Sequence, residues 1–365
     1  MRAGWQTKTL DQIAENLDSK RIPITKSDRK SGEYPYYGAS GIVDFVADYI
    51  FDGDTLLISE DGANLLARST PIAFPASGKY WVNNHAHILK FTNMTNQRFV
   101  ELFLESIPLD EYITGAAQPK LNQKALNSIP IPYPPLSEQQ RIVTILDEAF
   151  NSIATAKANA EKNLQNAHAL FEIHLQSVFT QRGEGWVDTT LENCCAKILA
   201  GGDVPKGRVS QERTPQCGVP IYSNGVKNEG LYGFTDVASV MKPSVTISAR
   251  GTIGFSAIRT EPFLPVVRLI VLVPDEETID ISFLYYAVVG MNFENTGTSI
   301  PQLTVPNLRE RQVYIPPLAQ QRVIVANLDA IREETQRLES IYQQKIAALD
   351  ALKKSLLHQA FSGHL

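Results

Sequence analysis

Five cations, Lys20, Arg21, Lys26, Arg29 and Lys30, stand against the single Asp28 in the stretch 20–30. Lysine and arginine at that density suit the phosphates of a nucleic acid, to which they add charge without reading sequence. Two turns of one type, Pro35-Tyr36-Tyr37-Gly38-Ala39-Ser40-Gly41 and Pro220-Ile221-Tyr222-Ser223-Asn224-Gly225, offer aromatic, hydroxyl and amide groups of the kind that meet base edges in a groove. Gln118, Lys120 and Asn122 form a further polar loop, with Gln302 as a counterpart late in the chain. Lys26, Arg29, Lys30, Tyr36, Tyr37, Ser40, Gln118, Lys120, Asn122, Tyr222, Ser223, Asn224, Lys227, Arg250 and Gln302 are the candidate DNA contacts.

Catalytic groups are not gathered in this way. His85 and His87 flank Ala86 in a β-prone segment and share one face. A metal pair or an unrecognised catalytic site there is the alternative, but no second group of metal ligands adjoins them in the sequence, so both are expected to be structural. Asp44, Asp48, Asp52, Asp54, Glu60 and Asp61 read as a solvated acidic face and turn. The glycine-rich run 201–207 contains Lys206 but lacks the GK[ST] order that seats a lysine on phosphates, and no GxGxxG follows a strand. Ile131-Pro132-Tyr133-Pro134-Pro135 has neither the acid nor the amide that amino-methyltransferases place before Pro-Pro, and Pro274-Asp275-Glu276-Glu277 reads as a turn. Cys194, Cys195 and Cys217 are too few and too badly spaced for a disulfide framework or a CxxC zinc site. The expectation is a non-catalytic chain that binds no cofactor and no metal.

The elements that must position these loops are visible in the composition and, above all, in a repeat. The chain has 365 residues, 43% hydrophobic and 20% charged, with a net charge of −5. That is a folded, multi-domain composition, and it argues against indiscriminate coating of nucleic acid. No apolar run approaches the roughly 18 residues of a membrane span, and the opening MRAGWQTKTL lacks an apolar signal core, so a cytoplasmic location is expected.

The repeat has an offset near 182. Gly4-Trp5 returns as Gly185-Trp186, Ile58-Ser59 with Gly62 as Ile247-Ser248 with Gly251, and Pro119-Lys120-Leu121 as Pro301-Gln302-Leu303. The segment Leu136 to Asp147 (LSEQQRIVTILD) matches Leu318 to Asp329 (LAQQRVIVANLD), each after a Pro-Pro pair. Repeats of solenoids and propellers run to about 50 residues, so duplication of a whole two-part unit is the better account.

The first part of each unit alternates short β-prone runs with Gly, Asn and Pro turn signals and predicts an α+β domain, a mixed β-sheet with short helices near Asn96 to Ser106 and Asp280 to Val289. The second part is free of proline and rich in Ala, Leu, Glu, Gln and Lys, a long helix. The segments fall at 1–136, 137–182, 183–317 and 318–365. Ile142, Leu146 and Ile153 in the first helix, with Ile324, Leu328, Ile331, Leu338, Leu349, Leu352 and Leu356 in the second, follow the 3-4 spacing of a coiled-coil seam. Two such helices are expected to pair antiparallel, with a pseudo-twofold relation between the units; docking of each helix on its own domain is the alternative.

Gly4-Trp5 with Thr9-Leu10, Tyr37-Gly38, Pro135-Leu136-Ser137-Glu138-Gln139 and the closing Leu356-Leu357-His358-Gln359-Ala360-Phe361-Ser362-Gly363 resemble the marks of the specificity subunit of type I restriction–modification enzymes. The first copy departs at its close, His174 to Thr180, and the second has Gln320-Gln321 where the family has an acid before the glutamine. The resemblance covers essentially the whole chain. It implies two target-recognition domains, 1–136 and 183–317, each reading one half of a bipartite, asymmetric DNA site. It also implies a helix pair that sets the spacer and docks two modification (methyltransferase) subunits, with restriction (translocase–nuclease) subunits joining the complex. S-adenosylmethionine, ATP and Mg2+ would belong to those partners. A coiled-coil scaffold that binds proteins without touching DNA is the competing expectation.

Overall fold

The computed structural model describes residues 4–115, 117–180, 183–291, 293 and 302–365. Pro301 of the repeated Pro-Lys/Gln-Leu motif lies outside them. The chain divides into two compact units, one of residues Met1–Ala160 with Gln344–Leu365 and one of residues Glu161–Gln343. Each holds an α+β domain together with part of both long helices, Leu136–Thr180 and Leu318–Ser362.

In the first unit, an antiparallel sheet runs in the order Ala14–Asn16, Ala86–Phe91, Thr55–Ser59, Ala73–Ala76. A second sheet orders Gly41–Val46, Ser31–Gly38, Lys79–Val82 and Phe51–Asp52, its middle pair parallel. Thr55–Ser59 is buried on both faces, which is why it reads as a continuous apolar run rather than an alternation. Helix Met94–Ser106 packs Phe99, Val100 and Phe103 into the core, and Asn93 caps it by accepting from the Asn96 amide at 2.9 Å.

The second unit repeats the plan. Its antiparallel sheet runs Cys195–Ala200, Ile270–Pro274, Ser244–Ile247, Ser256–Arg259, beside a smaller sheet of Leu231–Thr235, Val219–Tyr222 and Leu264–Pro265. Helix Ile281–Val289 buries Phe283 and Leu284, and Asp280 caps it from the Ser282 and Phe283 amides. The repeat seen in the residues is therefore a repeat of topology.

The long helices start in the same way. After each Pro-Pro pair a buried glutamine turns back, Gln139 Nε2 donating to the Pro134 carbonyl at 2.9 Å and Gln321 Nε2 to the Pro316 carbonyl at 2.8 Å. Two turns later Asp147 accepts from Arg98 at 2.6 Å, while Asp329 accepts from the Tyr286 hydroxyl. Each long helix is thus fixed to its own domain as well as to its partner helix. In the first unit, Ile142, Val143, Leu146, Leu357 and Ala360 join the domain core. The helices run antiparallel within each unit: Arg141 reaches the Leu365 carbonyl and Lys157 pairs with Asp350 in the first, and His168 pairs with Glu339 in the second.

In the first helix Ile142, Leu146 and Ile153 are buried, the first two within the domain core. In the second, Leu328 and Thr335 are buried and Ile324, Ile331, Leu338, Leu349 and Leu356 half-buried. Leu352 is a correction: it is 46% exposed, and Leu357 and Ala360 are buried instead. A straight helix turns 100° per residue, so Leu352 points about 80° away from Ala360; a strict 3-4 walk drifts off the true face. The last turn of the helix is also held by the domain, where Phe361 stacks edge-on with Phe99 and Phe103 at 5.2 and 5.3 Å.

Candidate nucleic-acid interface

In each unit, three loops that are distant in the chain meet at the end of a central strand. In the first unit the strand Thr55–Ser59 ends at Ser59, whose hydroxyl donates to the Ala39 carbonyl and so ties down the hairpin tip Ala39-Ser40. Gly41 closes that hairpin at φ 114°, a conformation that excludes most side chains. Beyond Ser59, the Gly62 amide donates to the Pro119 carbonyl at 3.0 Å and the Leu121 amide to the Glu60 carbonyl at 2.8 Å. The loop that carries Gln118, Lys120 and Asn122 is thereby laid against Glu60-Asp61-Gly62.

The second unit builds the same frame from different side chains. The Ser248 hydroxyl accepts from the Gly225 amide at 3.2 Å, and the Leu303 amide donates to the Ala249 carbonyl at 3.0 Å. Arg250 Nη2 donates to Gln302 Oε1 at 3.0 Å, joining two candidates that are far apart in the chain. Lys227 is exposed on a short 3-10 turn, Lys227–Gly230.

Several candidates prove to be framework. Tyr36 is 1% exposed; its hydroxyl accepts from the Ile24 amide at 3.2 Å and donates to the Ile24 carbonyl at 3.3 Å. Arg29 lies 4.3 Å from the Tyr36 ring centre and pairs with Asp44 at 3.1 Å, which holds the Asp44 carboxyl below its ordinary value. These two residues pin the cationic loop, and its open charges are Lys26 and Lys30. Tyr37 packs edge-on to Tyr80 in the core. Asn122 caps helix Gln123–Asn127 through the Ala125 amide at 2.9 Å. Asn224 spends both ends of its amide on backbone, accepting from Ala249 at 2.7 Å and donating to Val267 at 2.6 Å. Tyr222 lies under Arg259 at 3.7 Å. The exposed remainder is Ser40, Gln118, Lys120, Lys227, Arg250 and Gln302, with Ser223 half-buried beside them.

The acids require a second correction. Glu60 and Asp61 are not a solvated face. Glu60 accepts from Arg21 at 2.6 Å and lies 3.1 Å from Lys120, and Asp61 pairs with His85 at 2.8 Å. His87 is buried, with Nδ1 2.6 Å from Asp18 and Nε2 2.7 Å from the Leu121 carbonyl. Asp18, Glu60 and His87 therefore converge within 4.8 Å, a grouping that spacing did not show because its members lie up to 69 residues apart. Three such ligand types can hold a metal ion, but here each is engaged by the protein and two cations already face the acids. The arrangement is an ion-pair network that locks three loops together. Burial pushes the Asp18 carboxyl up, and the His87 contact, the Ile88 amide and Arg21 outweigh it, leaving it below its ordinary value. Glu60 is likewise held low, by Arg21 and Lys120 against burial. Arg21, one of the five cations of the 20–30 stretch, is turned inward onto Glu60 and the Ala86 carbonyl, and Arg259, which the sequence did not single out, is buried against Glu229.

Comparison with known proteins agrees with this architecture. The family model for the type I restriction modification DNA specificity domain matches twice, over residues 2–165 and 183–348. A chain of Mycoplasma pneumoniae named as a type I specificity subunit is 31% identical over 308 residues, covering 82% of this chain and 82% of its own. One of Haemophilus influenzae, named as a type I restriction enzyme specificity subunit, is 30% identical over 341 residues, 88% of this chain and 86% of its own. Among solved structures, a chain from work on assembly and conformational transition of the type I R-M system superposes with a TM-score of 0.77 at 19% identity, covering 100% of this chain and 99% of its own. The HsdS subunit of Thermoanaerobacter tengcongensis gives 0.65 at 18% identity, with 100% and 98% coverage.

Proposed function

The chain belongs to the type I restriction–modification specificity subunits, and on that premise we propose that each of its two domains reads one half of a bipartite, asymmetric DNA site. One observation carries this reading. Both units bring three loops together on the same backbone frame, and they arm that frame differently: Lys120, Gln118 and Ser40 in the first, Arg250, Gln302 and Lys227 in the second. A shared frame with unlike side chains suits two readers of unlike half-sites rather than a palindrome.

On this reading the part of the chain is recognition. The chemistry is assigned to partners: two methyltransferase subunits that dock on the long helices and use S-adenosylmethionine, and restriction subunits that use ATP and Mg2+. The helix pair sets the spacer between half-sites. Among the described residues no helix is long and apolar enough to cross a membrane, and the cytoplasm, where the DNA lies, is the proposed location.

The test is duplex binding by the chain assembled with its methyltransferase subunits, across a range of salt concentrations, followed by sequencing of methylated sites. Binding that falls steeply with salt and methylation of one split, asymmetric sequence are expected. A well-assembled complex that binds no duplex at any salt concentration would overturn the reading in favour of a protein-binding scaffold.

A further inference from the structure

One position in the shared frame reverses its charge between the units. Strand Thr55–Ser59 runs into Glu60-Asp61-Gly62, and strand Ser244–Ile247 runs through Ser248 into Ala249-Arg250-Gly251. The Leu121 amide donates to the Glu60 carbonyl and the Leu303 amide to the Ala249 carbonyl, which fixes the register. Gly62 and Gly251 both follow with positive φ. Asp61 and Arg250 therefore occupy equivalent places. Asp61 is taken up by His85 at 2.8 Å, so at this place the first unit offers a paired carboxylate and the second a guanidinium, a difference that suits the reading of unlike bases more than a phosphate contact shared by both units.

Arg250 is also held unlike four other arginines of its domain. Arg208, Arg213, Arg259 and Arg309 each pair with a carboxylate, from Asp236, Glu261, Glu229 and Glu192. Arg250 is exposed and donates to the neutral amide oxygen of Gln302, so that contact leaves its charge uncompensated. The bond takes one lone pair of Gln302 Oε1 and holds the two side chains together. The guanidinium presents only N–H donors, and the major-groove edge of guanine presents two acceptors, O6 and N7. An arginine whose guanidinium plane is fixed meets that edge bidentately.

We propose that Arg250 reads a guanine in the half-site bound by the second domain, and that Gln302 is a positioning residue which fixes the guanidinium plane. This deepens the DNA-reading function proposed above and rests on it. The test uses the chain assembled with its methyltransferase subunits, a duplex library randomised over the methylated sequence, and the variants Arg250→Ala and Gln302→Leu. Both residues are exposed, so unchanged thermal unfolding is the control for folding. The wild type is expected to require G on one strand at one position of one half-site. Arg250→Ala should lower the preference there by about 5- to 150-fold and leave the other half-site untouched. Gln302→Leu should relax the same position by less. Uniform weakening across sequences with a shallower salt dependence would make Arg250 a phosphate contact and overturn the assignment. Relaxation at a position that is A·T, or no relaxation at all, would overturn it equally. A wild-type complex that selects no sequence would instead overturn the DNA-reading function itself, a separate result.

Discussion

At the scale of residues, Arg29 is held by Asp44 and the Tyr36 ring while Lys26 and Lys30 stand exposed. The cation-rich loop could be read from the sequence, but its division of labour could not, because Asp44 and Tyr36 reach Arg29 only once the hairpin has formed. The division predicts two separable effects. Lys26→Ala with Lys30→Ala should weaken binding to all sequences, lower the magnitude of the log–log salt slope by about two, and leave the melting temperature unchanged. Arg29→Ala should lower the melting temperature of the first unit, since it removes an ion pair and uncovers the Tyr36 ring; equal melting of both variants would contradict the division. A pH dependence of opposite signs follows from the acids. Asp18 and Glu60 are held below their ordinary values of 3.8 and 4.5, so their contribution is complete above those values and drains away as pH falls through the lower folded ones. Glu101 is the reverse: burial, opposed by Arg98, pushes its carboxyl up to about 7. The fold favours its protonated form, and ionisation costs stability as pH rises from 4.5 towards 7. Glu101→Gln, which cannot ionise, should therefore gain stability relative to the wild type at pH 8 compared with pH 5 in thermal unfolding. A difference that stays constant across that range would show that Glu101 does not titrate there.

At the scale of elements, the long helices were the most legible part of the chain, since absence of proline and an apolar stripe over many turns leave little else to form. Their phase was less so. A seam counted in heptads passes through both Leu328 and Leu352, yet one is fully buried and the other half exposed, because an α-helix has 3.6 residues per turn and the end of this one answers to the domain against which it lies. Leu328→Ala should cost about 2–5 kcal/mol, the range for a leucine lost from a packed site. Leu352→Ala should cost within about 0.5 kcal/mol, as for surface positions. Urea unfolding of the two variants distinguishes them, and equal losses would mean that Leu352 packs after all. The helix starts show what pattern matching misses in kind. The glutamine shared by LSEQQ and LAQQR is a buried brace on a prolyl carbonyl, and the shared aspartates act through unlike partners, Arg98 and Tyr286. Neither use follows from the residue type alone.

For the molecule as a whole, both long helices contribute residues to both units. Residues 136–160 of the first helix belong to one unit and 161–180 to the other, and the second helix divides at 343–344. No proline or glycine interrupts either run between those points, so a deletion cannot be absorbed by a loop. Removing one heptad from each helix at facing positions, between the Lys157–Asp350 and His168–Glu339 pairs, preserves the seam, since seven residues make about two turns. It shortens each rod by about 10 Å at 1.5 Å per residue, equivalent to about three base pairs at 3.4 Å each. If the helix pair sets the spacer, the methylated sites of a host carrying the deletion should retain both half-site sequences with a gap about three base pairs shorter. The half-sites are expected to survive because their loops are fixed by bonds that lie wholly within each domain, Ser59 to Ala39 in one and Gly225 to Ser248 in the other. Altered half-sites with an unchanged gap would show that the helices influence recognition directly and do not act as a ruler.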